Sequence, residues 1–549
     1  MKLLKVLVNS LLVGLVFCLL LAHLLAVLNI NQRMSPGLII SLSLRLAAVY
    51  ALAIALIMAA AYFLLRFFIG KRPWPGLISP SFLSLSLSLF LLLFLAIFWA
   101  NTVHFRSFFD SAARNDLRTQ AITVLVLALL GLATFFSLLP LKKKFPLFLI
   151  YIALLSAGTA FLLAQKWDLP RPRADSARMP LLGKKLEKKI TMIGLEGLSF
   201  DLLDPLSAQG KLPNLTYLME NGCSARLVNF TPTEEVILRA SLETGKFPAR
   251  HRVLSQSRFR LGNLGQEFDV IPRFILFHQL AEIGYLQITP ARPVVQAKDI
   301  WQILEENQIP CARADRPAEP ESPQAAPKFE KLLSNVFNNP ALPEDDYFQR
   351  AKNAFFRDCV REEQAAEEKA RLQPQVFYLY LDGLNAVQTY FYKYSFPQQF
   401  GSIDQDSLSK YGPVIENYYG FYDGLIGKYL TGLKEDEILV VFSPHGTAPL
   451  PVWKRFVERL FGDRNVSAYH EPAPDGTALI YGKGIARQKD RGDIRIVDLA
   501  PTLLYYLGLP VGRDMDGIVK TSIFLPEFTA DNPIIYISSY EEFDFIPPK

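Results

Sequence analysis

The chain has 549 residues, 50% of them hydrophobic, and a formal net charge of +6. That length excludes a single ordinary domain, and four cysteines spread over it exclude a disulfide framework and a zinc-ligand cluster, leaving at most one bridge among Cys223, Cys311 and Cys359. The positive charge falls in no nucleic-acid motif, and the chain shows neither an internal repeat nor a glycine-rich phosphate loop.

Five apolar runs fill the first third, at roughly 6 to 28, 46 to 65, 82 to 103, 121 to 140 and 146 to 164, each near the length that crosses hydrocarbon. They predict an all-α bundle of five transmembrane helices over residues 1–169 in contact with membrane lipid. The alternating "SLSLSLS" of the third run puts small hydroxyls between leucines, a pattern suited to close helix packing. No acidic residue lies within a span, which argues against a polar passage through the bundle. Residues 170–189, within the stretch "WDLPRPRADSARMPLLGKKLEKK", read as a basic linker suited to lipid headgroups or to plain solvation. Basic residues divide almost evenly between the two sides; if the N-terminus is cytoplasmic, the odd span number puts the following domain outside the cytoplasm, periplasmic or extracellular.

From 190 to 549 the pattern changes to strand, helix, strand. "ITMIGLEGL", "VFYLYLDGL", "EILVVFSPHG" and "TALIYGKGI" are continuous apolar strands separated by helical segments such as "YGPVIENYYGFYDGLIGKYLTGL". Such strands predict an α/β domain whose parallel-rich central sheet is flanked by helices. A helical insertion or cap is expected at about 311–373, where a proline-rich stretch leads into the strong helix former "QRAKNAFFRDCVREEQAAEEKARLQ".

Ligands of open α/β sheets gather beyond the carboxyl ends of strands. There the sequence places Glu196, Asn385, Thr389, His445 and His470, together with a helix predicted from near Thr233 to just before Gly245 whose first turn carries Glu234 and Glu235. His251 and His278 have no ligand-spaced partner nearby, and Tyr390, Phe391, Tyr392 and Tyr394 read as core or wall aromatics.

The pieces "MIGLEGLSFDLLDPLSAQGKLPNLTYLMENG", "SLETGKFPARH", "DIWQILEENQIP", "YHEPAPDGTALIYGKGI" and "IVDLAPTLLYYLGLPVGRDMDG" resemble the alkaline phosphatase superfamily, in its type I phosphodiesterase and nucleotide pyrophosphatase branch. The resemblance covers nearly all of 190–540 and implies an alkaline-phosphatase-like sheet, phosphoester or sulfate-ester cleavage, and two divalent metals, usually zinc. Carried over by position, the first metal site falls on Asn385, Thr389 and His470. The second falls on Glu196, Pro444 and His445, with Glu235 at the nucleophile's place. Only the two histidines match the family pattern, so the resemblance implies a degenerate site and no expected cofactor. The protein then reads as a pseudoenzyme that binds a protein partner or an anionic ligand in the old cleft. The alternative is an atypical phosphodiesterase or phosphotransferase with one zinc or other divalent ion at Glu196, Glu235 and His445. In the same resemblance Asp498, Asp514 and Asp516 occupy turn and cap positions.

Overall fold

A computed structural model describes residues 2–541 except 33, 70–77, 142, 165–185, 274, 276, 278, 283, 292–293, 316–325, 338–345, 470, 472 and 489. His470, His278 and most of the expected linker therefore lie outside the described residues. The chain divides into two units: Met1–Pro170 with Leu254–Pro293, and Arg171–Val253 with Val294–Lys549. The boundary expected near residue 190 is thus crossed by a later segment that joins the first unit.

Helices of the first unit are α1 (Lys2–Leu28), α2 (Pro36–Ile69), α3 (Pro80–His104), α4 (Ser111–Leu138) and α5 (Phe145–Ala164). Among them α1, α3, α4 and α5 are long and apolar enough to cross a membrane, while α2 consists of two apolar arms, Pro36–Tyr50 and Ala53–Ala60, bent by 61°. Local chemistry sets their starts. Ser79 accepts the Phe82 N–H ahead of Pro80, and Asp110 accepts the Ala113 N–H at 2.7 Å. The serine-leucine run of α3 packs as its small residues suggest: a Cβ on Gly131 of α4 would stand 2.1 Å from Ser88 Oγ and 2.5 Å from the Tyr151 hydroxyl of α5.

Strands follow in chain order: β1 Lys189–Leu195, β2 Cys223–Val228, β3 Ser257–Leu261, β4 Glu267–Phe268, β5 Leu286–Pro290 and β6 Cys311–Ala314. After them come β7 Val376–Leu381, β8 Glu437–His445, β9 Ala448–Pro449, β10 Ala468–Tyr469, β11 Asp475–Gly482 and β12 Gly492–Arg495. The antiparallel sheet β4-β3-β5 belongs to the first unit. Its connecting stretch is fastened to helix ends by side-chain amides. Asn29 Oδ1 accepts the N–H groups of Asp269 and Val270 at 2.7 and 2.9 Å, and its Nδ2 donates to the Val270 carbonyl at 2.8 Å. Asn101 brackets Arg273 in the same manner, at 2.8 and 3.1 Å, and the Tyr50 hydroxyl donates to the Ile275 carbonyl at 2.6 Å. The apolar side chains Val270, Ile271, Ile275 and Phe277 are buried.

In the second unit a seven-stranded sheet has the order β12-β2-β11-β8-β1-β7-β6, parallel except for β11, which runs against both its neighbours. All of β7 and β8 and all but the first residue of β1 are buried, because helices cover both faces. Two apolar cores result, one on each face. Segment 311–373 supplies both an edge strand, β6, and the helix Asp346–Leu372. That helix sends Phe348, Ala351, Phe355, Cys359 and Ala365 into one of these cores, so it is a layer of the fold and not a cap over it. Tyr390, Phe391, Tyr392 and Tyr394 lie in the same core. All four cysteines are unpaired.

Candidate functional site

The parallel strands β1, β7 and β8 end side by side, and each hands its next residues to the same cleft. The β1 ladder extends one residue further, Glu196 N–H donating to the Leu381 carbonyl at 2.9 Å, and the chain then turns sharply at Gly197 with φ +88°. No other residue type fits that turn, since a Cβ would sit 2.5 Å from Gln388 Oε1. The turn points the Glu196 carboxylate inward. Oε1 accepts from Asn385 Nδ2 at 2.7 Å and Oε2 from the Tyr380 hydroxyl at 3.3 Å, while His445 Nε2 stands 3.4 Å from Oε1.

His445 ends β8 fully buried, with Nδ1 2.9 Å from the Gly446 carbonyl. That contact assigns the proton to Nδ1, which leaves the Nε2 lone pair facing Glu196. Burial holds the imidazole below its ordinary pKa, against the Gly446 bond and the charge of Glu235. Burial also pushes the Glu196 carboxyl up to about 8, aided by the negative charges of Asp382 and Asp358.

Glu235 opens the helix Glu235–Thr244, which ends at a left-handed Gly245, close to its predicted bounds. Its side chain keeps 36% of its exposure and lies 3.8 Å from Arg239 one turn on. The Glu196 charge, with burial second, pushes this carboxyl up to about 8 as well. Asp382 faces the same region and is paired with Arg357 and Arg361 at 3.4 and 3.3 Å.

Structure brings Glu196, Glu235, Asn385 and His445 together. Of the other described positions, Thr389 donates its hydroxyl to the Asn385 carbonyl of its own helix at 2.9 Å, and Pro444 has no polar side-chain atom. Pro444 lies two residues past the last β1 register pair, Gly194 with Phe442, so its missing N–H removes nothing from that ladder. Asn385 Oδ1 is a buried acceptor with no hydrogen bond among the described residues. Across those residues no group of three or more His, Cys, Asp or Glu side chains is placed to share a metal ion.

Sequence reasoning passed over Tyr380, Asp382, Arg239 and Asp358. Asp358 had one detectable signal, its place between Phe355 and Cys359 on the apolar face of its helix. Asp498, Asp514 and Asp516 hold structure together. Asp498 accepts the Arg495 and Ile518 N–H groups, Asp514 accepts Lys246 Nζ at 2.6 Å, and Asp516 accepts the Phe247 N–H at 2.8 Å.

His251 is equally structural. It is fully buried, Nδ1 accepting the Val253 N–H at 3.1 Å, so Nε2–H donates to Ser241 Oγ at 2.8 Å. The ring is thereby a poor base for that serine. Burial, then the charge of Lys246, pushes its pKa down to about 3. The unfolded chain binds the proton first as pH falls, so stability is present above about pH 6.5 and drains toward pH 3 at about 1.4 kcal/mol per unit. His251→Gln, which keeps a donor for Ser241, is expected to flatten that acid-side loss; thermal unfolding at pH 7 and pH 5 measures it, and equal slopes in both proteins would contradict it.

A sequence model of the type I phosphodiesterase / nucleotide pyrophosphatase family matches residues 191–497. No curated protein matches the chain. Among solved structures, human ectonucleotide pyrophosphatase / phosphodiesterase 5 aligns at 13% identity over 63% of this chain and 99% of its own, with a TM-score of 0.36. The murine counterpart aligns at 14% identity over 59% and 96%, with a TM-score of 0.33. A phosphonate monoester hydrolase from Silicibacter pomeroyi aligns at 15% identity over 61% and 76%, with a TM-score of 0.36.

Proposed function

The chain belongs to the type I phosphodiesterase / nucleotide pyrophosphatase family of the alkaline phosphatase superfamily, and from that membership we propose that it is a membrane-anchored pseudoenzyme whose cleft binds a partner without turning over a phosphoester. The supporting observation is the contact of Asn385 Nδ2 with Glu196 Oε1 at 2.7 Å, beside a Pro444 with nothing to offer a metal. An amide donor occupies a carboxylate oxygen where the family's chemistry asks for a cation. Two ions need more anionic or imidazole donors than Glu196, Glu235 and His445 provide, even with His470 added, and these residues do not fit such a pair. Glu235 at the nucleophile's place puts a longer side chain, and no hydroxyl, in the space a phosphoryl group would need. Without a pair of cations to steady it, developing charge has no strong stabiliser here.

The carboxyl oxygens of 196, 235 and 382, and an Asn385 Oδ1 with no hydrogen bond among the described residues, make the cleft rich in acceptors. Its ligand is then a donor-bearing group, such as a basic or N–H-rich segment of a protein partner, in preference to an anion. A second reading rests on His445, whose Nε2 lone pair faces Glu196 while Gly446 holds Nδ1–H; that is how proteins orient an imidazole toward a metal. It assigns one divalent ion to Glu196, Glu235 and His445, which would have to draw together around it, since among the described residues no such trio is placed to share an ion. Incubating the purified full-length chain with bis-nitrophenyl phosphate and added zinc or manganese separates the two. The pseudoenzyme releases no nitrophenolate above the metal-only blank, and saturable turnover lost in His445→Ala would establish the second reading.

We propose also that α2, bent as it is, crosses the bilayer, giving five spans and a second unit on the face opposite the N-terminus. Support comes from Asn29 at the end of α1 and Asn101 in the last turn of α3, which bind the later segment 269–273. With five spans, α5 delivers the chain to that same face. A cysteine introduced at Glu187 is expected to react with an impermeant maleimide in intact cells, and protection until lysis would contradict this topology.

A further inference from the structure

The helix Val452–Phe461, "VWKRFVERLF", stands between β9 and β10 of a two-stranded hairpin in the second unit. Its sides are inverted relative to a normal surface helix. Val452, Trp453, Phe456 and Leu460 are 74%, 63%, 64% and 57% exposed. At 100° per residue these four fall within an arc of about 100°. The basic residues hold the other side down. Lys454 Nζ donates to the Glu471 carbonyl at 3.1 Å and lies over the Tyr469 ring, and Arg455 donates to the Gln399 carbonyl at 2.8 Å with its guanidinium over Phe400. Exposed apolar residues elsewhere in this unit, such as Ile518 and Leu372, come from separate elements and need no explanation.

We propose that this helix is a membrane-docking element, which lies in the headgroup boundary of a bilayer with its Trp453–Phe456–Leu460 face among the acyl chains. Composition and charge select a lipid surface. The helix holds three cations and one carboxylate, Glu458, which accepts the Asp463 N–H behind the helix. Exposed Arg459 borders the apolar arc next to Val452, where it meets anionic headgroups. A tryptophan beside leucine and phenylalanine on one face and arginine at its edge is the composition of interfacial helices. Four apolar helices of spanning length in the same chain keep a bilayer permanently within tether reach.

The test uses the full-length chain reconstituted in vesicles of phosphatidylcholine mixed with phosphatidylglycerol. A fluorescent amino acid is placed at position 456 and, as a water-facing control, at position 435, where Glu435 is 96% exposed. Nitroxide-bearing lipid is expected to remove roughly half or more of the emission at 456 while iodide leaves it unchanged, with the reverse at 435. Arg459→Glu should restore much of the lipid-quenched emission at 456. Iodide quenching at 456 equal to that at 435 would overturn the proposal, as would protection from both quenchers, which would mark a protein partner or self-association on this face.

Discussion

Asp358→Ala is expected to cost the protein about 3–5 kcal/mol of stability, because the carboxylate is a fully buried acceptor for three donors that have no substitute. Asp358 accepts the Gly383 N–H at 3.1 Å and the hydroxyls of Tyr418 and Tyr422 at 2.8 and 2.7 Å. The fit admits no side chain at 383: a Cβ there would lie 2.0 Å from the Tyr418 hydroxyl. Truncation leaves an N–H and two phenols in a dry core, and it loosens the start of the helix Gly383–Ser395 that presents Asn385. Asp358→Asn keeps the shape and one acceptor, so about 1–2 kcal/mol is expected. Urea unfolding of both variants against the native chain measures the difference. An alanine variant with an unchanged midpoint would show that the loop after β7 is held by other means.

The second large effect is a gain. Combining Glu196→Asp, Glu235→Thr, Asn385→Asp, Thr389→His and Pro444→Asp is expected to raise retained zinc from below one to at least one ion per chain, measured after dialysis against a weak chelator. Each change puts back a donor of the type and reach that a divalent ion coordinates, and Asn385→Asp also removes the amide that now occupies Glu196 Oε1. The framework for these side chains is present, since β1, β7 and β8 pair in register, Gly197 turns the chain sharply and Gly446 lets it pass close to Ser199. His445 needs no alteration, as its Nδ1 is already held by a carbonyl. Metal content no higher than in the native chain would mean that the supporting residues have drifted as far as the ligands.

Strands β1, β7, β8 and β11 were legible in the sequence because they lie inside the sheet and read as continuous apolar runs. Strands β2, β6 and β12 were not. "CARA" and "GDIR" are edge strands of four residues carrying arginine or aspartate, and "CSARLV" alternates, so none shows an apolar run. Segment 254–293 was read with the soluble domain because "VIPRFILFHQL" is too short to span a bilayer and resembles a core strand or helix. Contacts such as the amide clamps of Asn29 and Asn101 and the Tyr50 hydroxyl reveal where it belongs, and such contacts between distant residues leave no local pattern. At the site, the resemblance named Glu196, Glu235, Asn385 and His445, which the fold brings together, but other neighbours of Glu196 escaped it. Tyr380 looks like any buried strand aromatic, and Asp382 like an ordinary turn residue, until the fold places both against the same carboxylate.

Zinc and manganese content of the purified full-length chain, determined by elemental analysis after exchange into metal-free buffer, tests the central claim most directly. A cleft holding Glu196, Glu235 and His445, with an amide at 385 and a proline at 444, predicts less than one ion per chain. Two ions per chain, both lost in His445→Ala, would contradict it and make the protein a hydrolase or transferase of its family.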